Sequence, residues 1–226
     1  MPLVVYGVLP GGRYVPFEKA LAASGAGPDA RANVYVNLTN KCNCSCVFCL
    51  RGKKKMGPEA TLWYGEEGDP PAGKIREALE ALPWDRVAEV VFCGFGEPTL
   101  RMDDLTALLR WIRQNHPGTP TRLNTNGLAE LEFGPGAADR LAGLLDTVSI
   151  SLNASTPGRY LELTRSRHGI GSWEAMLRFA ERCKRFVPHV VLTVVDKVEG
   201  GAEIEACRAV CAARGLDLRV RAYEDS

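Results

Sequence analysis

The 226-residue chain lacks any large excess of charge, because 28 Lys and Arg residues face 27 Asp and Glu residues and the formal net charge is +1. This balance gives no global signal for a nucleic-acid partner, an anionic membrane surface or a strongly charged substrate. No apolar run approaches the length of about 20 residues that spans a bilayer. The N-terminus has no basic segment followed by an apolar core, as a signal peptide would have. The sequence therefore predicts a cytoplasmic protein with no membrane partner.

Histidine is also scarce, which restricts the metal sites that the chain can build. His116, His168 and His189 are the three histidines, and they are far apart in sequence. No second Cys-x2-Cys pair accompanies Cys46 and Cys49, although structural zinc sites commonly use two separated pairs. A disulfide framework does not suit a chain of this length with no export signal and with its cysteines crowded into one loop.

That loop, Cys42-Asn-Cys-Ser-Cys-Val-Phe-Cys49, is the most informative part of the sequence, and we call residues 42–49 the cysteine loop. Its pattern Cys42-x3-Cys46-x2-Cys49 offers three soft thiolates that suit a [4Fe–4S] cluster, which ordinarily takes four ligands. The missing fourth ligand would leave one iron open to a group that is not protein. Cys44 is a spare thiol, either a bystander, an alternative ligand or a proton donor. Bound zinc, or thiols without metal, are the competing interpretations.

From residue 33 onward, short β-rich runs alternate with amphipathic helical runs, as in an α/β protein with a parallel sheet. We predict six strands, at 34–38, 87–92, 121–124, 147–153, 190–195 and 218–222, and five helices, at 71–82, 105–114, 137–145, 172–186 and 204–214. A complete eight-fold barrel needs about 250 residues. The sequence therefore predicts an open partial (β/α)6 barrel, similar to an incomplete TIM barrel, as a single domain over residues 33–226. Residues 1–32 are predicted to form an N-terminal β-hairpin extension, with strands at 3–8 and 13–17, and a linker.

Polar and glycine-rich motifs stand at the carboxyl ends of the first four predicted strands, where barrel enzymes gather their reactive groups. In chain order they are the cysteine loop, Gly94-Phe95-Gly96-Glu97, the pair Asn124 and Asn126, and the pair Ser151 and Asn153. Asn124 is predicted to contact a bound cofactor and Asn126 to shape the turn, although both could serve the turn alone. Four independent motifs at the expected positions indicate an active site more strongly than any one of them.

Two of these motifs have a simple structural alternative. Gly94 and Gly96 would let the backbone approach a ligand closely, and Glu97 would present a carboxylate to a cationic group. A plain turn after the strand is the other interpretation. Ser151 and Asn153 are two residues apart on one predicted strand and so share a face. That face either lines the mouth of the barrel or ends the strand with ordinary polar residues.

Taken together, the cysteine loop and the Gly-Phe-Gly-Glu-Pro motif one βα unit later resemble the radical S-adenosylmethionine (SAM) superfamily. The resemblance extends over residues 33–222. The run NLTNKCNCSCVFCLR at residues 37–51 is more closely similar to the TatD-linked radical SAM proteins, as are the runs FCGFGEPT at 92–99 and SISLNAS at 149–155.

The resemblance implies a cofactor set and a chemistry. Cys42, Cys46 and Cys49 would hold three irons of a [4Fe–4S] cluster, and the amino and carboxylate groups of SAM would chelate the fourth. Phe48 would pack beside the adenine. Reductive cleavage of SAM would give methionine and a 5′-deoxyadenosyl radical, which takes a hydrogen atom from the substrate.

The resemblance also implies contacts to SAM at two other strand ends. Phe95, Gly96 and Glu97 stand where the family has Gly-Gly-Glu, which binds the SAM amino group. Because Phe95 departs from that triplet, the contact is expected through backbone carbonyls. Ser151 and Asn153 would reach the ribose or the methionine carboxylate.

Three cationic features bear on the substrate, which would be a nucleoside or RNA, a peptide or a small metabolite. The run Arg51-Gly-Lys-Lys-Lys55 would bind an anionic substrate or an electron donor such as flavodoxin or ferredoxin, or it is a solvated face. Arg165, after the fourth strand, would pair with a carboxylate of SAM or of the substrate, or it lies in a surface loop. Arg219 and Arg221 share one face of the last strand and could point into the open end of the barrel.

Two functions without SAM chemistry compete with this interpretation. A small iron–sulfur electron carrier would use four protein ligands and would not need a glycine–glutamate loop at the next strand end. A zinc-stabilised binding module would use Cys42, Cys44, Cys46 and Cys49 and would need no SAM pocket.

Overall fold

Short strands separated by helices run through the part of the chain that this computed structural model describes, residues 3–52, 62–198 and 200–222. The packing groups these residues into two units. The first comprises 3–41 and 62–123, and the second comprises 42–52, 124–198 and 200–222. The lysines at 53–55 of the predicted basic run lie outside the described residues.

The first unit contains the N-terminal hairpin and the first parallel strands. Its helices and strands are β1 (Val5–Val8), β2 (Tyr14–Val15), α1 (Phe17–Ala23), β3 (Ala32–Val36), α2 (Ala72–Glu80), β4 (Val87–Phe92), α3 (Met102–Asn115) and β5 (Thr121–Thr125), whose last two residues are counted with the second unit. β1 pairs antiparallel with β2, which confirms the hairpin, and also antiparallel with β3. β3, β4 and β5 are parallel neighbours.

The second unit continues the alternation of strands and helices. Its helices and strands are α4 (Ala129–Phe133), β6 (Thr147–Ser151), α5 (Pro157–Thr164), α6 (Ser172–Cys183), β7 (His189–Val195), α7 (Gly201–Ala213) and β8 (Asp217–Arg221). β6, β7 and β8 pair in parallel and in chain order.

The apolar pattern of the sequence accounts for these elements. In α3, the fully or almost fully buried Leu105, Leu108, Leu109 and Ile112 recur at three- and four-residue intervals, which places them on one face of the helix. In β4, the successive residues Val90, Val91 and Phe92 are all inaccessible to solvent, as expected for a strand that is covered on both sides.

All six predicted strands are present, each within two residues at either end of its predicted limits. The predicted helix at 137–145 was wrong, because only a 3-10 turn forms at Ala137–Leu141. Gly136 and Gly143 adopt positive φ angles of 94° and 72° on either side of it, and a right-handed helix does not continue through residues in this conformation. α1, α4 and α5 were not predicted. No helix within the described ranges is long and apolar enough to cross a membrane.

Candidate functional site

The cysteine loop lies in the second unit and is fixed by the end of α5. The backbone N–H of Ser45 donates to the carbonyl of Thr164 and that of Val47 to the carbonyl of Leu163, each across 2.9 Å. These two bonds attach alternate residues of the loop to the end of α5, and the loop then turns, with the backbone N–H of Cys49 donating to the carbonyl of Cys46 at 3.1 Å. The helix that supports the predicted cluster ligands is thus one that the sequence analysis did not find.

Asn43 anchors the same loop through three hydrogen bonds. Its Nδ2 donates to Glu132 Oε1 at 2.9 Å, and its Oδ1 accepts from Asn126 Nδ2 at 2.5 Å. Its carbonyl accepts from the backbone N–H of Arg167 at 3.0 Å. Asn43 is buried, so these bonds replace those it would make to water. The backbone on either side of Asn43, at Cys42 and Cys44, is therefore held in place by protein contacts alone.

Glu132 on α4 is the centre of this arrangement. Its carboxylate accepts from Asn43, forms an ion pair with Arg167 and lies 2.6 Å from His168 Nε2. Partial burial acts to raise the pKa of Glu132, but the hydrogen bonds from Asn43, His168 and Arg167 outweigh it, and the pKa is lowered. The carboxylate is therefore ionised at neutral pH. Glu132, His168 and Arg167 were not predicted as a group, since no local motif joins residues that are about 35 positions apart.

The thiols of the cysteine loop interact with one another. The backbone N–H of Cys44 lies 3.4 Å from Cys42 Sγ, and Asn126 Nδ2 lies 3.7 Å from Cys44 Sγ. Hydrogen bonds to the thiols of Cys42 and Cys46 raise the pKa of Cys44, and the bond from Cys44 lowers the pKa of Cys46. Burial raises the pKa of Cys49. All eight cysteines lie within the described residues, and none forms a disulfide.

The donor set fits an iron–sulfur cluster by its chemistry, since it consists of soft sulfur ligands on one short loop. As the loop stands, no group of three or more His, Cys, Asp or Glu side chains in the described part of the chain converges on a point where a metal ion would sit. Each cysteine of a [4Fe–4S] site binds a different iron, so the three thiols are not expected to converge on one point.

A cavity in the second unit brings the cysteine loop together with the end of β6. It encloses about 590 Å³, including its open mouth, and its lining is Cys46, Phe48, Cys49, Leu50, Ser151, Asn153, Val195, Arg221 and Ala222. Two predicted cluster ligands and three predicted SAM contacts, Phe48, Ser151 and Asn153, thus share one cavity.

Asn153 reaches the cavity from beyond the strand on which it was predicted to lie. β6 ends at Ser151, and Asn153 follows with a φ of 62°, in the left-handed region that asparagine tolerates better than most residues. Its backbone N–H donates to the carbonyl of Thr193 at 3.3 Å. The turn re-aims Asn153, so that it and Ser151 line the same cavity without belonging to the same strand.

Asn124 provides a polar atom that protein groups do not satisfy. Its Oδ1 is buried and has no hydrogen-bond partner among the residues that the structure describes. Leaving such an acceptor unpaired costs about 1–3 kcal/mol. A bound donor group would remove this cost, so the predicted contact between Asn124 and SAM has a physical rationale.

The Gly-Phe-Gly-Glu motif lies in the first unit and packs against the residues that follow β3. A Cβ on Gly94 would lie 1.9 Å from Asn37 Oδ1, and one on Gly96 would lie 2.4 Å from the carbonyl oxygens of both Thr39 and Lys41. The two glycines are therefore required by close packing within the protein. Close approach of the backbone to a ligand, which the sequence predicts for Gly94 and Gly96, is not needed to explain them and stays a prediction.

The other two residues of the motif have internal partners as well. Glu97 is buried, and its Oε1 accepts hydrogen bonds from Thr99 N at 3.1 Å and Thr99 Oγ1 at 2.7 Å. Phe95 packs with Tyr6 and Leu62 in a small apolar core, and its ring lies 6.3 Å from that of Tyr14 on β2. A phenylalanine replaces the expected glycine because its side chain fills this core beside the hairpin.

The cationic candidates differ in where they lie. Arg165 is exposed at the C-terminal cap of α5, with a φ of 47°, and does not line the cavity. Arg219 donates to Ser149 Oγ at 3.1 Å. Arg221 lines the cavity beside the cysteine loop.

Comparison with known proteins places these motifs in a family. A profile of the radical SAM superfamily matches residues 36–209. The chain is 30% identical over 195 residues to a probable GTP 3′,8-cyclase of Halobacterium salinarum, with 85% of this chain and 50% of that protein covered. It is 29% identical over 87 residues to a probable dual-specificity RNA methyltransferase RlmN of Bacteroides fragilis, with 38% and 22% covered. The chain thus spans half or less of these curated relatives.

A solved structure shares the fold. Streptococcus suis SuiB bound to S-adenosylmethionine superimposes with a TM-score of 0.63 at 19% identity, over 85% of this chain and 40% of SuiB. This similarity confirms the predicted fold class, an open α/β partial barrel with mostly parallel strands.

Proposed function

Since the chain belongs to the radical SAM superfamily, whose cofactors are a [4Fe–4S] cluster and SAM, we propose that it is a radical SAM enzyme. Its cysteine loop would bind the cluster through Cys42, Cys46 and Cys49. When bound, the cluster and SAM together supply a one-electron reductive cleavage that yields a 5′-deoxyadenosyl radical for hydrogen abstraction.

The observation that carries this proposal is the shared lining of one cavity. Cys46 and Cys49 lie there with Phe48, Ser151 and Asn153. Phe48 offers an apolar ring to the adenine, and the hydroxyl of Ser151 and the amide of Asn153 offer hydrogen bonds to the ribose or the methionine carboxylate. The small aromatic and polar lining is what an adenosine derivative requires, and an electron carrier or a zinc module would have no use for it.

Three further groups of residues are proposed to contact SAM or the substrate. Asn124 would direct its buried Oδ1 to a donor of SAM. The backbone of Gly94, Phe95 and Gly96 would bind the SAM amino group, with Glu97 holding the turn through Thr99. Arg165 lies outside the cavity lining, and we keep it as a candidate for contact with a larger substrate.

We infer that the substrate contains a nucleoside or nucleotide. The curated relatives carry names that specify GTP and RNA, which share purine nucleosides and phosphate. The motif resemblance to the TatD-linked subgroup, which is associated with nucleases, points in the same direction and stays a prediction. A peptide is the second candidate, because the structurally similar SuiB has been solved with its precursor peptide SuiA.

We also infer that residues 33–226 act as one catalytic domain, with residues 1–32 as an extension. The contact between Phe95 and the residues Tyr6 and Tyr14 supports this, since it joins the hairpin to the glycine motif within the first unit. The electron would come from a flavodoxin or a ferredoxin. The partly buried thiols of Cys42, Cys46 and Cys49 would stay available to a cluster in a reducing compartment, so we propose a cytoplasmic location.

The test is formation of 5′-deoxyadenosine by anaerobically reconstituted protein that is given SAM and dithionite. We expect product from the wild type and from Cys44→Ala, and none from Cys46→Ala. Each variant removes one thiol from the cysteine loop, and the two positions are two residues apart. The variants are therefore a matched pair. Equal activity of the wild type and Cys46→Ala, or zinc in place of iron in the purified protein, would contradict the proposal.

A further inference from the structure

Among the residues that the structure describes, Arg221 is the one basic residue in the lining of the cavity that holds Cys46 and Cys49. It ends β8, where its backbone pairs with Val195 on β7 and its carbonyl accepts from Asp196 N at 2.8 Å. Its pairing with β7 fixes the position of its backbone at the edge of the sheet, and the residue is partly buried. From this position Arg221 lines the cavity.

In the described part of the chain, no carboxylate balances the charge of Arg221. The described lining of the cavity contains no Asp or Glu, and the side chains of Ser151 and Asn153 are neutral. Within residues 3–52, 62–198 and 200–222, no acidic side chain forms an ion pair with Arg221. A guanidinium is well suited to bind an oxyanion, because its planar fork of N–H donors matches the oxygens of a carboxylate or a phosphate.

The neighbouring Arg219 does not share the position of Arg221 in the cavity lining. It stands two residues earlier on β8 and so has the same strand face, but its Nη2 donates to Ser149 Oγ and it does not line the cavity. Arg219 is therefore a matched control for Arg221, with the same charge on the same strand.

We propose that Arg221 binds an oxyanion inside this cavity, a carboxylate or a phosphate group. This inference rests on the proposed function, which supplies two sources of such a group: the methionine carboxylate of SAM and a phosphate of a nucleotide substrate. The carboxylate and the phosphate each present two or more oxygens to the guanidinium of Arg221. The binding of SAM depends on Arg221 only if the carboxylate is the group that is bound.

Equilibrium binding to the cluster-loaded protein separates the two sources. SAM, decarboxylated SAM and pyrophosphate in the presence of SAM are the probes, and the proteins are the wild type, Arg221→Gln, Arg221→Lys and Arg219→Gln. If Arg221 binds the SAM carboxylate, Arg221→Gln weakens SAM binding by about 10- to 100-fold, the usual effect of losing a charged hydrogen bond. The same variant then leaves binding of decarboxylated SAM unchanged.

If Arg221 binds a substrate phosphate, Arg221→Gln binds SAM like the wild type, but the SAM-loaded variant loses its affinity for pyrophosphate. In either case Arg221→Lys keeps part of the binding, and Arg219→Gln keeps all of it. The inference is overturned if Arg221→Gln binds both probes as the wild type does, or if Arg219→Gln loses as much. A wild-type protein that binds no cluster and no SAM would contradict the proposed function. If that protein still binds pyrophosphate and Arg221→Gln does not, the oxyanion site at Arg221 is supported all the same.

Discussion

Glu132 accepts a hydrogen bond from the side chain of Asn43 across 2.9 Å, and this contact ties α4 to the cysteine loop. Asn43 stands between Cys42 and Cys44, so the bond fixes the loop between two thiols. The same carboxylate holds His168 and Arg167, and Arg167 in turn bonds to the carbonyl of Asn43. The loop is thereby held at both the side chain and the backbone of one residue.

Removing this carboxylate should loosen the hold on a bound cluster without removing a ligand. We expect Glu132→Ala to reconstitute with the same iron content as the wild type but to lose iron to a chelator about 10-fold faster, since residues that orient ligands commonly affect metal affinity by this much. The rate is followed anaerobically by the loss of cluster absorbance.

Glu130→Ala is the matched control for this experiment. Glu130 lies on the same helix and also has a basic partner, Arg182, at 3.6 Å, but it has no contact with the cysteine loop. Equal rates of iron loss in Glu132→Ala and the wild type would show that the Asn43 contact does not position the loop.

The lowered pKa of Glu132 predicts a pH dependence of stability. A carboxyl group whose pKa is lower in the folded state stabilises the fold above its unfolded pKa of about 4.3, and this stabilisation is lost as the pH falls through the folded pKa. The difference in unfolding free energy between the wild type and Glu132→Gln should therefore be largest near pH 7 and shrink toward pH 3. Chemical denaturation across this range measures it, and a difference that stays constant would contradict the assignment.

Gly96 is predicted to tolerate no side chain. A Cβ there would lie 2.4 Å from two carbonyl oxygens of the chain segment that leads into the cysteine loop, those of Thr39 and Lys41. We expect Gly96→Ala to lower the unfolding free energy by about 3 kcal/mol, the upper end for overpacking. Gly118→Ala is the control, because no atom lies within 4 Å of its Cβ position. Urea denaturation that gives the same result for both variants would be evidence against the packing argument.

Phe95 is predicted to stabilise the hairpin contact by burial. It is 9% exposed and packs with Tyr6 and Leu62. Phe95→Ala should cost about 3 kcal/mol of unfolding free energy, as truncation of a buried phenylalanine does. Phe133→Ala, at a position that is 45% exposed, should cost less than about 1 kcal/mol. The account of Phe95 fails if the two variants are equally stable.

The strands and the cysteine loop could be predicted from the sequence because both signals are local. The apolar run of β4 has the same limits as predicted, and the cysteine spacing is complete within eight residues. α5 was missed because it is short, and only three of its residues, Tyr160, Leu163 and Thr164, are buried. Its start was marked by Thr156 and Pro157, a cap followed by proline at the first helical position.

The contacts that hold the site could not be predicted because they join distant parts of the chain. Asn43 and Glu132 are 89 residues apart, and nothing near either residue indicates the other. Gly94 shows that the reason for a glycine cannot be read from the sequence either. Its small size was attributed to a ligand, and the structure shows Asn37 in the space that a side chain would need. Its contact with SAM stays a prediction.

The central claim is that three cysteines hold a cluster with one iron open to SAM. The electron paramagnetic resonance spectrum of the reduced, anaerobically reconstituted protein, recorded before and after addition of SAM, tests it most directly. The account predicts a [4Fe–4S] signal that SAM changes in the wild type and in Cys44→Ala, and that is lost in Cys46→Ala. A cluster signal that SAM leaves unchanged would mean that all the irons have other ligands, and it would contradict the claim.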